Sequence, residues 1–351
     1  MTTMRPLGGY FFEDYAVGQH FVHAVPRTIT QGDVALYQAL TGSRNPLHCS
    51  EPFAQSLGHP AMPVDDLLVF HIAFGKTVPD LSHNAVANLG YAECRFLRPA
   101  YIGDTLRAES HVLGLKANSN GRSGVVYVRS TAFNQHNEVV LTYVRWVMVH
   151  RHLADPQPAA TPHGETDFAV QVPPAALAPP PRVRRIDAAA INRATGSLRF
   201  FEDIRLGEAI CHPSGMTIDE PDHTLATKLY QNTARVHFDL HHMQDSRFGR
   251  RLVYGGHVIS LCRALSFDGL ENALSIAAIN AGSHHHPTFA GDTLYCVSTP
   301  LEKWPIDARW GAVRVAMAGY KNVDPSSSKF AAASDSAKVL SIDLTLWMPR
   351  R

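Results

Sequence analysis

The sequence predicts an α+β protein in which one unit, an antiparallel sheet wrapped round a central buried helix, is made twice. Two observations carry this. Phe11-Phe12-Glu13-Asp14, with Gly18 after it, recurs 189 positions later as Phe200-Phe201-Glu202-Asp203, with Gly207 after it. The same separation relates Ile29 to Ile218, Asp33 to Asp222 and His48 to His237, and Gly103-Asp104-Thr105-Leu106 returns as Gly291-Asp292-Thr293-Leu294. Self-similarity at a fixed spacing marks a duplicated structural unit. The second observation is that the order of element signals is the same in both copies.

The elements follow in order. Each Phe-Phe-Glu-Asp segment reads as a short strand. Next comes a helix, 30–40 in the first copy, where Thr30 and Asp33 suit a cap and first turn; its counterpart spans 218–230. A loop leads to a second helix, 65–77, in which Leu67, Leu68, Val69, Phe70, Ile72, Ala73 and Phe74 leave no polar face. Such a helix must be enclosed by other elements. The matching segment is 257–267. Four strands then follow in each copy, at 85–96, 105–115, 124–133 and 139–149, and at 273–282, 293–301, 311–320 and 339–348. Their β-branched and aromatic content supports the assignment. Gly103-Asp104 and Gly291-Asp292 read as turns entering strands. This is the hot-dog arrangement, doubled, with a cleft expected between the copies.

The copies are joined by a stretch rich in proline and alanine, with eight prolines between Leu153 and Arg185. It reads as a semi-extended connector that packs poorly. The expected division is a first unit at 1–152, a linker at 153–195 and a second unit at 196–351.

Composition narrows the function. The 351 residues are 45% hydrophobic and 18% charged, with a net charge of +1. That balance gives no reason to expect nucleic acid or an anionic membrane as a partner. Five cysteines, odd in number and without a C-x-x-C pair, suit reduced thiols better than disulfides or zinc. No apolar run approaches the length of a membrane span, and the N-terminus lacks a signal-peptide pattern. A soluble, cytoplasmic protein without a metal or bound cofactor is expected. His284-His285-His286 and His241-His242 are adjacent residues that point to alternate sides, so neither run should converge on one ion.

Chemistry is expected in the loop between the two helices of each copy. In the first it reads Thr41-Gly42-Ser43-Arg44-Asn45-Pro46-Leu47-His48; in the second, Asn232-Thr233-Ala234-Arg235-Val236-His237-Phe238-Asp239. These loops resemble the MaoC-like (R)-specific enoyl-CoA hydratases, whose signature Asp-x-Asn-Pro-x-His is followed by His-Gly at the start of the central helix. The resemblance implies a hydratase in which the acid and His handle water and the glycine N–H polarises the thioester carbonyl. The first copy has Ser43 at the acid position and Val64-Asp65 where His-Gly is expected. A carboxylate there would repel an enolate, so this copy is expected to be degenerate, shaping the cleft without catalysing. The second copy keeps His237 and Gly255-Gly256, with Asn232 in the acid position.

Longer strings resemble the mesaconyl-CoA hydratase family more closely. These are Tyr230-Gln231-Asn232-Thr233-Ala234-Arg235-Val236-His237-Phe238, the run from Phe248 to His257, Ala277-Ala278-Ile279-Asn280-Ala281-Gly282 and, in the first copy, the run from Leu68 to Asp80. The resemblance implies reversible hydration of an α,β-unsaturated dicarboxylic acyl-CoA, with asparagine at the position of Asn232 as a family trait. His237 is then expected to deprotonate water, Asn232 to orient it and Gly256 to donate to the oxyanion. His237 could return the proton to the α carbon; Asp239 and Asp222 are other candidate acids. Tyr254, Gly255, His257, Arg235 and Arg250 are expected to line the substrate, with Arg247 and Arg251 as further cations for its carboxylate or the coenzyme A phosphates. Ser43 with His48 lacks a nucleophile elbow. A hot-dog thioesterase and a non-catalytic acyl-CoA-binding module remain alternatives. Two copies in one chain already supply the pair that a dimer would form, so a homodimer is compatible but not required.

Overall fold

A computed structural model describes residues 6–153, 155, 162–180 and 186–351. The first copy runs through β1 (His20–Val22), β2 (Arg27–Thr28), α1 (Gln31–Thr41), α2 (Pro46–Cys49), α3 (Glu51–Ser56) and α4 (Asp66–Leu81). It continues with β3 (Ala85–Phe96), β4 (Thr105–Ala117), β5 (Ser123–Phe133) and β6 (Val139–His150). The joining segment holds β7 (His163–Gly164) and α5 (Ala188–Thr195). The second copy contains β8 (Ile210–Cys211), β9 (Met216–Thr217), α6 (Glu220–Leu229), α7 (Arg235–Phe238), α8 (Leu240–Gln244), α9 (Gly255–Leu265), β10 (Ser275–His284), β11 (Thr293–Pro305), β12 (Trp310–Lys321), α10 (Phe330–Ala337) and β13 (Lys338–Pro349).

All strands join one antiparallel sheet in the order β1-β4-β5-β6-β3-β10-β13-β12-β11-β8, with β2 and β7 on β4 and β9 on β11. The copies meet where β3 pairs with β10, from Arg95 opposite Ala278 to Gly90 opposite Ser283. The two central helices α4 and α9 lie against this sheet and share one apolar core with both sets of strands. In α4, residues 67–78 are all buried, as an apolar helix without a polar face requires. The helices are tied together by Ser260, whose Oγ hydrogen-bonds His71 Nε2 at 2.7 Å and accepts from Tyr37 OH at 2.9 Å. Gly75 is needed at the crossing with the end of α6: a Cβ there would lie 1.8 Å from the Tyr230 carbonyl oxygen.

The local signals act as anticipated at several points. Thr30 and Asp33 form a reciprocal capping box at the start of α1. Gly103 and Gly291 turn into β4 and β11 with φ of 98° and 94°, a left-handed conformation that favours glycine. The Phe-Phe-Glu-Asp segments differ from expectation. Both are single 3-10 turns, Phe12–Asp14 and Phe201–Asp203. In each the terminal Asp carboxylate accepts the N–H of the first Phe, closing a turn instead of extending a strand.

The joining segment is also better packed than its prolines suggested. Val172 donates its N–H to Asn280 Oδ1 at 2.9 Å, and Gln171 accepts from Arg314 at 2.8 Å. Phe168 stacks on Trp146, and Ile191 of α5 is buried beside Trp310 and Trp347. The described part of the chain between the copies therefore straps the outer face of the sheet across the β3–β10 seam.

Candidate active site

The loop after α6 is a tight turn. Gln231 takes φ 54°, Asn232 N–H returns to the Thr227 carbonyl at 3.0 Å, and the Asn232 side chain accepts from Ala234 N–H at 3.3 Å. This places His237 in the single turn α7. Its Nδ1 hydrogen-bonds the Leu252 carbonyl at 2.9 Å. A carbonyl only accepts, so the proton sits on Nδ1 and the Nε2 lone pair is left to act as a base. Leu252 N–H donates back to Val236 O at 2.9 Å, pinning α7 to the segment that leads into α9. Burial pushes the His237 pKa down to about 4, and His223 and His284 push in the same direction. The ring is thus neutral throughout the physiological range, further below working pH than an unperturbed histidine.

The second part is the N-terminus of α9. Its cap residue Tyr254 provides no side-chain cap, and no acceptor among the described residues meets the Gly255 or Gly256 N–H. The positive end of the helix dipole is therefore open at Gly256. The Tyr254 ring lies 5.7 Å from the His237 ring, which brings the base and this helix end together. Both glycines are required by contact. A Cβ on Gly256 would come within 2.4 Å of the Tyr254 ring, and one on Gly255 within 2.5 Å of the His284 ring. The first copy completes the enclosure: Phe74 packs against Tyr254 with centroids 5.4 Å apart, and Lys76 Nζ donates to Gln231 Oε1 at 2.7 Å. Burial raises the Tyr254 pKa well above 10, so its phenol stays protonated and is a donor.

The equivalent region of the first copy differs at one decisive position. His48 repeats the arrangement of His237, its Nδ1 bonding the Pro63 carbonyl at 3.1 Å. Counting by the repeat, however, Asp65 matches Tyr254, and the residue matching Gly256 is Leu67. The expected alignment of Val64-Asp65 with Gly255-Gly256 is therefore two positions out. Asp65 is the N-cap of α4, and its carboxylate accepts the Leu67 N–H at 2.9 Å. The backbone donor corresponding to Gly256 is consumed by the chain itself. Around it is a small cleft, with a cavity volume of about 20 Å³, lined by residues that include Ser43, Asn45, His48, Asp66 and Arg263.

The other expected residues are more scattered. Arg235 opens α7, two residues before His237. Arg250 stacks on Phe289 at 3.9 Å and Arg247 on Phe248 at 4.5 Å, while Arg251 pairs with Glu220. His257 is buried with Nδ1 against Tyr230 OH at 3.1 Å. Of the candidate acids, Asp239 caps α8 by accepting His242 N–H, and Asp222 lies in the first turn of α6. Sequence reasoning missed His284, whose ring rests on Gly255 and whose Nε2 is 3.3 Å from Tyr91 OH. Its two neighbours turn elsewhere, His285 to Ser341 and His286 to the Asp335 carbonyl. Among the described residues no group of three His, Cys, Asp or Glu is placed to hold a metal ion, and no helix is long and apolar enough to cross a membrane.

A doubled hot-dog with a histidine facing an uncapped glycine helix end defines a MaoC-like hydratase. More narrowly, the chain belongs to the mesaconyl-CoA hydratase family, whose model matches residues 3–328. It is 53% identical to the β-methylmalyl-CoA dehydratase of Chloroflexus aurantiacus and 49% identical to the mesaconyl-CoA hydratase of Cereibacter sphaeroides, in both cases over 98% of each chain. The solved structure of a putative MaoC domain dehydratase from Chloroflexus aurantiacus covers 99% of this chain and is itself covered completely, at 51% identity and a TM-score of 0.91. A Mycobacterium tuberculosis protein described as a double hotdog fold aligns over 98% of this chain and all of its own, at 26% identity and a TM-score of 0.78.

Proposed function

We propose that this chain catalyses the reversible hydration of mesaconyl-CoA to β-methylmalyl-CoA at the second copy. The observation that carries the reading is the pairing of a neutral His237, its Nε2 lone pair free, with the open N–H of Gly256. His237 takes a proton from water as the oxygen attacks the β carbon. Electron density moves through the double bond onto the thioester oxygen, where Gly256 N–H donates at the end of the α9 dipole. The imidazolium then returns its proton to the α carbon, so one residue serves as base and acid and the addition is syn. Asn232, held at the turn before α7, orients the water; its amide neither takes up nor releases a proton at neutral pH, so the acid is His237 itself. Asp239 is engaged in capping α8, which supports this assignment. Tyr254 is assigned to the acyl site, and Arg235 and Arg250 are assigned to the phosphates of the coenzyme A tail.

The test follows the conjugated thioester absorbance on mixing protein with mesaconyl-CoA, beside His237→Ala. The reading predicts loss of the enoyl signal with the thioester intact, abolished by the substitution. Release of free thiol would replace the hydratase with a thioesterase, and binding without any change would leave an acyl-CoA-binding module.

A further inference from the structure

The acyl group proposed above ends in a carboxylate, and the arginines nearest His237 in sequence are stacked on aromatic rings, paired or at the rim. A different arginine lies inside. Arg145, on β6 of the first copy, is 0% exposed. Its Nη2 donates to Thr77 Oγ1 at 2.9 Å and to Ser82 Oγ at 3.4 Å. Its Nε and Nη1 meet no acceptor among the described residues. Asp80, which shares this end of α4, accepts a hydrogen bond from His23 Nδ1 at 2.7 Å, and burial lowers the His23 pKa, so this contact is between a carboxylate and a neutral ring. A guanidinium taken out of water with two neutral hydroxyls as its acceptors is costly, and the cost is relieved when an anion binds.

The position of Arg145 relates it to the reaction. Its guanidinium lies over the Phe74 ring at 4.1 Å, and Phe74 packs on Tyr254, the residue between His237 and Gly256. The buried cation is therefore one ring removed from Tyr254, while the coenzyme A tail must leave towards solvent. Burial raises the Tyr254 pKa, and the Arg145 charge acts against that rise.

We infer that Arg145 is the carboxylate anchor of the acyl pocket: its open N–H groups take the distal carboxylate of a short dicarboxylic acyl thioester. This rests on the proposed function for the identity of the substrate. It gives the first copy a role in recognition, since the second copy supplies the chemistry and the first supplies the charge. A monocarboxylic acyl group of equal length would leave the guanidinium unpaired, which is a strong basis for discrimination.

The test measures binding by calorimetry on the full chain with two unreactive thioesters, methylsuccinyl-CoA and 2-methylbutyryl-CoA, which differ by a carboxylate in place of a methyl group. The wild type is expected to prefer the former by roughly 100-fold. Arg145→Met should remove that preference while leaving 2-methylbutyryl-CoA binding unchanged, and Arg145→Lys should retain part of it. A wild type with no preference overturns the inference without any variant. So does a preference that survives in Arg145→Met, or a parallel loss for both ligands. Turnover of mesaconyl-CoA by the wild type is followed alongside. Preference without turnover would overturn the hydratase reading and leave the carboxylate anchor in place.

Discussion

The Asp65 carboxylate and the Leu67 N–H, 2.9 Å apart, close the N-terminus of α4; the matching residues Tyr254 and Gly256 leave the N-terminus of α9 open. The same backbone donor thus meets a side-chain carboxylate in one copy and no side-chain cap in the other. Asp65→Ala is expected to cost about 1 kcal/mol of stability, as loss of an N-cap does, with kcat unchanged. Urea unfolding and steady-state kinetics on one preparation check both halves of this statement.

His237→Gln should lower kcat by about 10²- to 10⁴-fold with a small change in KM, as expected when a proton-transferring group is removed. His48→Gln, at the matching position of the capped copy, should leave kcat within a factor of about 2. Side-by-side kinetics with mesaconyl-CoA decide whether one copy or both act.

Gly256→Ala drives a methyl group into the Tyr254 ring and disturbs the N–H proposed as the oxyanion donor. The expected loss is about 10²-fold in kcat, the scale of one oxyanion donor. Tyr254→Phe keeps the ring and removes the hydroxyl. If the ring alone matters, this variant retains activity; a fall comparable to that of Gly256→Ala would assign the phenol a donor role of its own.

Stability should decline on the acid side of neutrality. Burial lowers the pKa of His59, His223, His237 and His284 to about 4 and of His257 to about 3, from the usual 6.5. Between about pH 6.5 and 4 the unfolded chain binds protons that the native state refuses, so the free energy of unfolding falls as pH falls. Asp66, raised by burial to about 6, works in the opposite direction but is a single group. Melting temperatures should be level from pH 8 to 7 and drop progressively from 6.5 to 5. A rise over that range would contradict the buried neutral histidines.

Gly75→Ala places a methyl group on the Tyr230 carbonyl and should cost about 3 kcal/mol, because α4 and the end of α6 must separate. Thermal unfolding of this variant measures how tightly the two copies are joined.

Much of the fold is legible in the sequence because its signals are local. The apolar run of α4 and the β-branched strands each declare themselves within a dozen residues, each repeated segment is itself short, and His237 stands in a recognisable string. What escaped depends on partners distant in the chain. The proline-rich segment packs because Asn280 and Arg314 of the second copy receive it. The Phe-Phe-Glu-Asp turns depend on a carboxylate folding back on its own backbone, which looks like a strand when the spacing of apolar residues alone is read. Arg145 sits in a run of strand residues whose alternation says nothing of a cation facing inward, and its meaning comes only from Phe74 and Tyr254. His284 was set aside with its neighbours, yet alternation along β10 turns it alone towards Gly255.

The continuous sheet that joins the copies also bears on how the two sites could diverge. In a symmetric pair of identical chains, a carboxylate introduced at the helix cap would appear at both sites and silence them together. Within a single covalent chain the halves mutate independently. One could therefore exchange turnover for a stable helix end and an inward-facing guanidinium, while the other kept its donor exposed. Duplication followed by such a division of labour allows a pocket to recognise a substrate that is itself unsymmetrical, a thioester at one end and an acid at the other.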